Sequence, residues 1–432
     1  MNRIQNTISL TTILSVLIFS LIFNSSCSQD LDIQSYQKRI PTRDTVSRTN
    51  SEETRRTLLL YSAGYHNLSE DLCEDIRDLC NGYLPGNERY DDQIFIFSHQ
   101  TASKYDYSTP THAYLLKVYK NSAGGHTVDT LMTYPEGTSS ASAKTFAMVT
   151  DYVYNTYPSK EFGVIFSSHA TGWLPEEYYS KNTFSARYTS GQRPHSNNYC
   201  TPLVKSIGAE FCGSYLNVKE IDLKEFAAEL KTHLDFLIFD ACLMGGIEVA
   251  YELKDVCDKI VFSQTEVLSW GMDYTKIGSR LFSGKESDLR GIAEDFFNFY
   301  DALSGDFRSA TISVVDCSQL DNLAKVCSGI FRNHRNELMT ISPVNVQRFN
   351  RKPWFFDFRD ILANLGLNQE EKDAVDEALS RCILYKASTP KFIGIDITAH
   401  SGLSMYLERA GNRFLSTYYS DLKWNTDTNY VL

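Results

Sequence analysis

The sequence predicts an α/β fold: a mostly parallel sheet flanked by helices on both faces, with an additional C-terminal α/β portion. Three observations carry this. Short apolar runs alternate with amphipathic helical segments along most of the 432 residues, the pattern of a sheet covered on both sides. Runs such as "GVIF" and "FLIF" are apolar at every position, as strands buried on both faces must be. The chain is 42% hydrophobic and 13% aromatic, enough for a large core.

Taken in order, "RRTLLLYSAG" reads as a buried strand ending at Gly64, followed by a helix from Ser69 to Leu79 and the strand "QIFIFSH". "HAYLLKVYK" and "HTVDTLMTY" form a hairpin around the Asn121 to Gly125 turn, where Asn and Gly supply the required backbone freedom. "SASAKTFAMVTDYVYNTYP" has helical period up to Pro158, and "EFGVIFSSHATGW" begins as a strand. Residues 175 to 215 are polar, without period, and read as one long loop. "DLKEFAAELKT", "FLIFDAC", "GGIEVAYELKD" and "KIVFSQTEV" then read as helix, strand, helix and strand. The same grammar continues with helices over Glu286 to Leu303, Gln319 to Leu338 and Gln369 to Ile383, and with strands in "SATISVVDC", "FIGIDIT" and "GLSMYLE".

Residues 1–26 read as an export signal: Asn2-Arg3, then the apolar run Ile8 to Phe23, then "NSSC" ending at Cys27. The run is short for a spanning helix of about 20 residues. Small residues before a cysteine resemble a bacterial lipobox, which makes Cys27 the expected lipidation site, although Asn24 stands where an aliphatic residue is usual. Residues 27–54 are polar and read as a flexible tether, 55–285 as the main α/β core, and 286–432 as the C-terminal α/β portion packed on it. The formal net charge of −11, without a basic cluster, argues against nucleic acid as a partner. Ten cysteines in an exported chain raise the question of disulfides, but no paired spacing defines a framework. Cys73 and Cys80 fall on one helical face, and no Cys/His cluster suggests zinc. No cofactor and no metal is expected.

Two strands end in reactive residues. "GVIFSSHATGW" presents His169 and "FLIFDACLMGG" presents Cys242, each in the same place relative to its strand. In open parallel sheets ligands bind at the carboxyl ends of strands, so the two could face each other on neighbouring strands. A helix from Leu243 to Leu253 would aim its positive end at Cys242 and favour the thiolate. His169 would serve as base and then acid, and the N–H groups at Cys242 and Ala170 would hold the oxyanion. The bland alternatives are a cysteine acting as a small buried hydrophobe and Asp240 acting as a helix N-cap.

"FDACLMGGIEVAYELKD" around Cys242 and "IFSSHATGWLP" around His169 resemble the clostripain family of cysteine peptidases. The resemblance runs from "TLLLYSAGYHNLSEDL" to "GLSMYLE" and implies a caspase-like fold. It also implies a dyad of His169 and Cys242, and an acidic Asp240 beside the pocket that favours basic P1 side chains. Asp273, in "SWGMDY", would add to that pocket. Ala170 stands where related sequences often have Gly, and "GYHNL" replaces the acidic turn expected after the first strand. Lys181, Arg187, Arg193 and Lys205 are candidate self-cleavage points in the 175–215 loop. The expectation is an exported, lipid-anchored, monomeric endopeptidase of the bacterial cell envelope acting on peptides with Arg or Lys at P1. The alternatives are a catalytically silent binding or adhesion lipoprotein, and a cysteine hydrolase of non-peptide amides or esters.

Overall fold

The computed structural model describes residues 54–176, 178, 207–214, 217–408 and 412–432. The export signal, Cys27, the tether up to residue 53 and the four candidate self-cleavage residues lie outside these.

The strands that build the main sheet are β1 (Arg56–Gly64), β2 (Gln93–Gln100), β3 (Tyr114–Lys120), β4 (His126–Thr133) and β5 (Glu161–Ser167). After a separate hairpin of β6 (Ile207–Phe211) and β7 (Val218–Ile221) come β8 (Leu234–Asp240), β9 (Cys257–Phe262) and β10 (Thr311–Asp316). Two residues, Phe356–Asp357, form β11, and β12 spans Ile383–Ser388. The nine-stranded order is β12-β10-β9-β8-β5-β1-β2-β3-β4. The five central strands, β9-β8-β5-β1-β2, pair in parallel. The β3-β4 hairpin closes one side in antiparallel fashion and β10 with β12 the other. Of the strands that follow residue 285, β10 and β12 thus extend the same sheet as those before it.

Alternation along each strand sorts the core into two layers. Leu59, Tyr61, Phe97, Phe166, Leu237 and Phe239 belong to one apolar cluster, and Leu58, Leu60, Ile96, Ile165, Phe236 and Ile238 to the other. Helices Ala143–Thr156, Ile247–Leu253 and Leu320–Asn333 cover the first face. Helices Ser69–Asn81, Tyr274–Phe282 and Leu289–Asp301 cover the second. Tyr61 stacks on Phe97 and Phe166 at centroid distances of 4.4 and 5.4 Å. Such pairs add to the area they bury and fix the spacing between strands.

Four expectations need correction. The predicted long loop contains β6, which pairs antiparallel with β7; the strands are only five and four residues long, too short to show a period. "LYKAS", assigned to no element, is β12, an edge strand whose exposed face lacks the apolar run used to recognise strands. The predicted strands in "FIGIDIT" and "GLSMYLE" shrink to two-residue ladders. The helix expected from Leu243 begins at Ile247, with Gly246 as its N-cap.

Candidate active site

Three neighbouring strands deliver the site. Ser62 of β1 pairs with Ser167 of β5, and Ser167 pairs with Asp240 of β8. His169 and Cys242 each lie two residues beyond that matched pair, so the register of β5 and β8 sets them at equal height. Asn67 lies three residues past Gly64 at the end of β1. All three border one cleft of about 400 Å³, with Asp75, Asp240 and Trp270 also in its wall.

His169 is buried and tightly framed. Its Nε2 meets Asn67 Oδ1 at 2.8 Å. That oxygen can only accept, so Nε2 carries the proton and Nδ1 keeps its lone pair. Nδ1 is buried and meets no hydrogen-bond partner among the described residues. The ring lies 4.4 Å from that of His66 and nearly parallel to Phe211 at 6.2 Å. The β6-β7 hairpin supplies Phe211, and Gly208 N–H donates to the carbonyl of His169 at 3.1 Å. Burial lowers the His169 pKa to about 4, which leaves the ring neutral at pH 7.

Cys242 Sγ accepts from the Val267 amide at 3.3 Å. Burial, then the nearby Glu266 charge, pushes the thiol well above its ordinary pKa. The expected helix dipole does not act here, because the helix starts five residues later. No hydrogen bond joins Cys242 to His169 among the described residues. Leu243, the next residue, has φ 61°, a left-handed conformation that costs roughly 1–3 kcal/mol outside glycine. Gly172, with φ 62°, lies so close that a Cβ there would meet the Leu243 carbonyl at 2.4 Å. The strained Leu243 thus lies where the His169 and Cys242 loops touch. No acceptor meets the N–H of Ala170 or of Cys242 among the described residues.

Asp240 points to the sheet face opposite Phe239 and is buried beneath the cleft. Its Oδ2 accepts from Tyr274 OH at 2.9 Å and Ser167 Oγ at 3.3 Å. It is not the cap of the following helix, which starts after Gly246. Asp273 does not line the cleft; it pairs with Lys276 at 2.8 Å. Sequence reading missed Asn67 and Asp75. Asn67 could have been found as the residue past the first strand end, and Asp75 as an acid inside an apolar helical stripe.

Trp270, Phe299 and Phe307 form an exposed aromatic cluster at the rim, Trp270 and Phe307 stacked at 5.2 Å. A second cavity, about 500 Å³, lies beside the helix Gln369–Cys382 and β12. In its wall Arg359 pairs with Asp376, and His400 Nε2 meets Gln264 Oε1 at 2.7 Å. Among the described residues no cluster of His, Cys, Asp or Glu is placed to hold a metal ion, and the eight described cysteines are free thiols.

The sequence profile of the clostripain family matches residues 195–431, more than half of the chain. The chain belongs to the clostripain family. It is accordingly a cysteine peptidase, and peptides or proteins are its substrates. Similar solved structures include an inactive zymogen protease from Parabacteroides distasonis, 26% identical with a TM-score of 0.69, over 88% of this chain and 99% of that one. Another is a secreted cysteine protease of Bacteroides thetaiotaomicron called iotapain, 25% identical with a TM-score of 0.67, over 88% and 100%. A secreted protease of the same organism, in complex with an irreversible peptide inhibitor, is 20% identical with a TM-score of 0.69, over 87% and 99%, and shows the shared fold. No curated protein matches the chain. The family match takes in Asp240 and Cys242, whereas His169 lies before it.

Proposed function

We propose that this clostripain-family peptidase is an exported, lipid-anchored endopeptidase that cleaves after Arg or Lys through His169 and Cys242. The observation that carries the reading is the register of β5 and β8, which leaves both residues at matched heights over one cleft. In the proposed cycle Cys242 Sγ attacks the scissile carbonyl carbon while its proton passes to the lone pair of His169 Nδ1. The tetrahedral oxyanion is held by the N–H groups of Cys242 and Ala170, both without an acceptor among the described residues. The C–N bond then breaks, the imidazolium gives its proton to the leaving amine, and water hydrolyses the thioester. Because burial keeps the thiol and the imidazole uncharged at rest, proton transfer accompanies attack instead of preceding it.

The preference for a basic P1 residue rests on Asp240, a buried carboxylate in the cleft wall. A carboxylate facing a guanidinium can form paired, charge-assisted hydrogen bonds. Export and lipid anchoring rest on the basic start, the apolar run and Cys27, and on two similar structures being of secreted proteases.

A panel of fluorogenic peptides with basic, acidic and apolar P1 residues tests the reading. Hydrolysis is expected for Arg and Lys, and Cys242→Ala is expected to abolish it without unfolding the protein. Activity of the variant within tenfold of the parent would remove Cys242 as nucleophile. Cleavage confined to non-peptide esters would favour a different hydrolase.

A further inference from the structure

The helix Ser69–Asn81 packs its buried stripe onto the second face of the sheet, and that stripe reads Leu72, Asp75, Ile76, Leu79. A carboxylate occupies a position the helical period reserves for apolar side chains. Asp75 is only 7% exposed, and among the described residues no donor meets its carboxylate. A buried charge ordinarily acquires a partner. What Asp75 does border is the cleft, together with Asp240, which projects from β8 toward the same layer. Gly271 closes the space beside them, its missing Cβ lying 2.6 Å from Asp240 Oδ2.

We propose that Asp75 is the second carboxylate of the pocket that receives a basic P1 side chain, and that the two acids together hold one proton which the arriving cation displaces. The inference rests on the basic-P1 reading above and extends it to a residue on another element. A guanidinium offers five donors in a planar fork and can bridge two carboxylates, while a Lys ammonium engages them as a point charge. The step balances as an exchange: one carboxyl O–H bond breaks, the proton leaves to solvent, and the side-chain cation takes its place between two carboxylates.

The groups facing the pair support the exchange. Asp240 acts on Asp75 from β8, and Asp71, Glu74 and Asp78 act from its own helix, all negative. Tyr274 and Tyr300 face both acids from the two helices on that side of the sheet, and neither phenol supplies a positive charge. Lys104 acts on Asp71 nearer the rim and pairs with Glu70 at 2.8 Å. Burial and like charge both raise Asp75 and burial raises Asp240, so the empty pocket keeps a proton at neutral pH. Raising the pH makes that proton easier to displace, and the advantage of Arg over an uncharged P1 residue then grows with pH.

The test compares kcat/KM for P1 Arg and P1 norleucine peptides from pH 6 to 9 in the parent, Asp75→Asn and Asp240→Asn. Proton release on binding an Arg-terminated peptide to each protein is measured by calorimetry in two buffers. Expected for the parent is an Arg-to-norleucine ratio that climbs with pH and about one proton released per peptide. Asp75→Asn, which keeps the shape, is expected to lower the ratio by about tenfold or more, flatten its pH slope and abolish proton release. An unchanged ratio and slope in Asp75→Asn, with the ratio lost in Asp240→Asn, overturns the role of Asp75 and leaves the basic-P1 reading standing. Equal loss on both peptides makes Asp75 a purely structural residue and also overturns it. A parent that does not prefer Arg sinks the basic-P1 reading itself, and the inference with it.

Discussion

Among the described residues the His169 ring is held in place by one polar contact and two rings. The Asn67 bond at 2.8 Å fixes which nitrogen carries the proton, and His66 and Phe211 restrict the ring plane. Asn67 is therefore a positioning residue for the proposed base. Asn67→Ala removes the acceptor and lets the other tautomer form, so kcat should fall by about tenfold or more, a fraction of what a general base contributes. Asn67→Asp keeps the acceptor and adds a negative charge, which stabilises the imidazolium and raises the His169 pKa. The acid limb of the kcat/KM profile should then move to higher pH. An unmoved limb in the Asp variant, with full activity in the Ala variant, would show that Asn67 only fills space.

At the scale of elements, β5 matters most because it carries His169 between β1 and β8. Gly163 lies in its middle and pairs with Phe236 of β8, and a Cβ there would meet the Phe236 ring at 1.9 Å. The ring occupies the volume a side chain would need. Gly163→Ala should lower stability by about 1–3 kcal/mol, the usual range for overpacking, seen as a lower Tm in thermal denaturation. A Tm within a degree of the parent would mean the ring rotates away freely. The β8 turn has a different character. From Asp240 to Gly246 the chain passes through the left-handed Leu243 before the helix begins. The strained turn, and not a helix terminus, therefore presents the thiol.

Across the whole molecule, the C-terminal segments lock onto the helix that follows the Cys242 turn. Glu248 is fully buried, and its Oε1 accepts from the Tyr406 amide at 2.7 Å and Tyr419 OH at 2.9 Å. Tyr430 OH donates to the Tyr406 carbonyl at 2.8 Å, and Trp424 is completely buried. The C-terminal region is thus part of the framework behind the site. The proposed anchor belongs to this scale too, since it decides where the enzyme acts. Cys27→Ser leaves no thiol for acylation, so the protein should lose fatty-acid label and move from the membrane to the soluble fraction. Retention of both label and membrane association would remove the lipoprotein assignment. Among the described residues no helix is long and apolar enough to cross a membrane.

The sequence by itself determined the alternation of strands and helices, the two strand ends bearing His169 and Cys242, and the acid at Asp240. Each of these is written locally: continuous apolar runs mark buried strands, and a polar residue after such a run marks a strand end. One edge strand, β4, was legible from its hairpin turn, whereas the other, β12, was not. β12 pairs on one side only and fully buries none of its residues, so its composition resembles a loop. The start of the helix after Cys242 was misread because Leu243 and Met244 are apolar whether they belong to a turn or to a helix. Only the tertiary structure decided the order β8-β5-β1, which places residues from three distant segments over one cleft. It alone joined Asn67 to His169 and brought Asp75 and Asp240 into the wall of one cleft, and it moved Asp273 out of the pocket into a pair with Lys276. Such pairings depend on strand register and helix docking, which fix distances between residues that no local pattern relates.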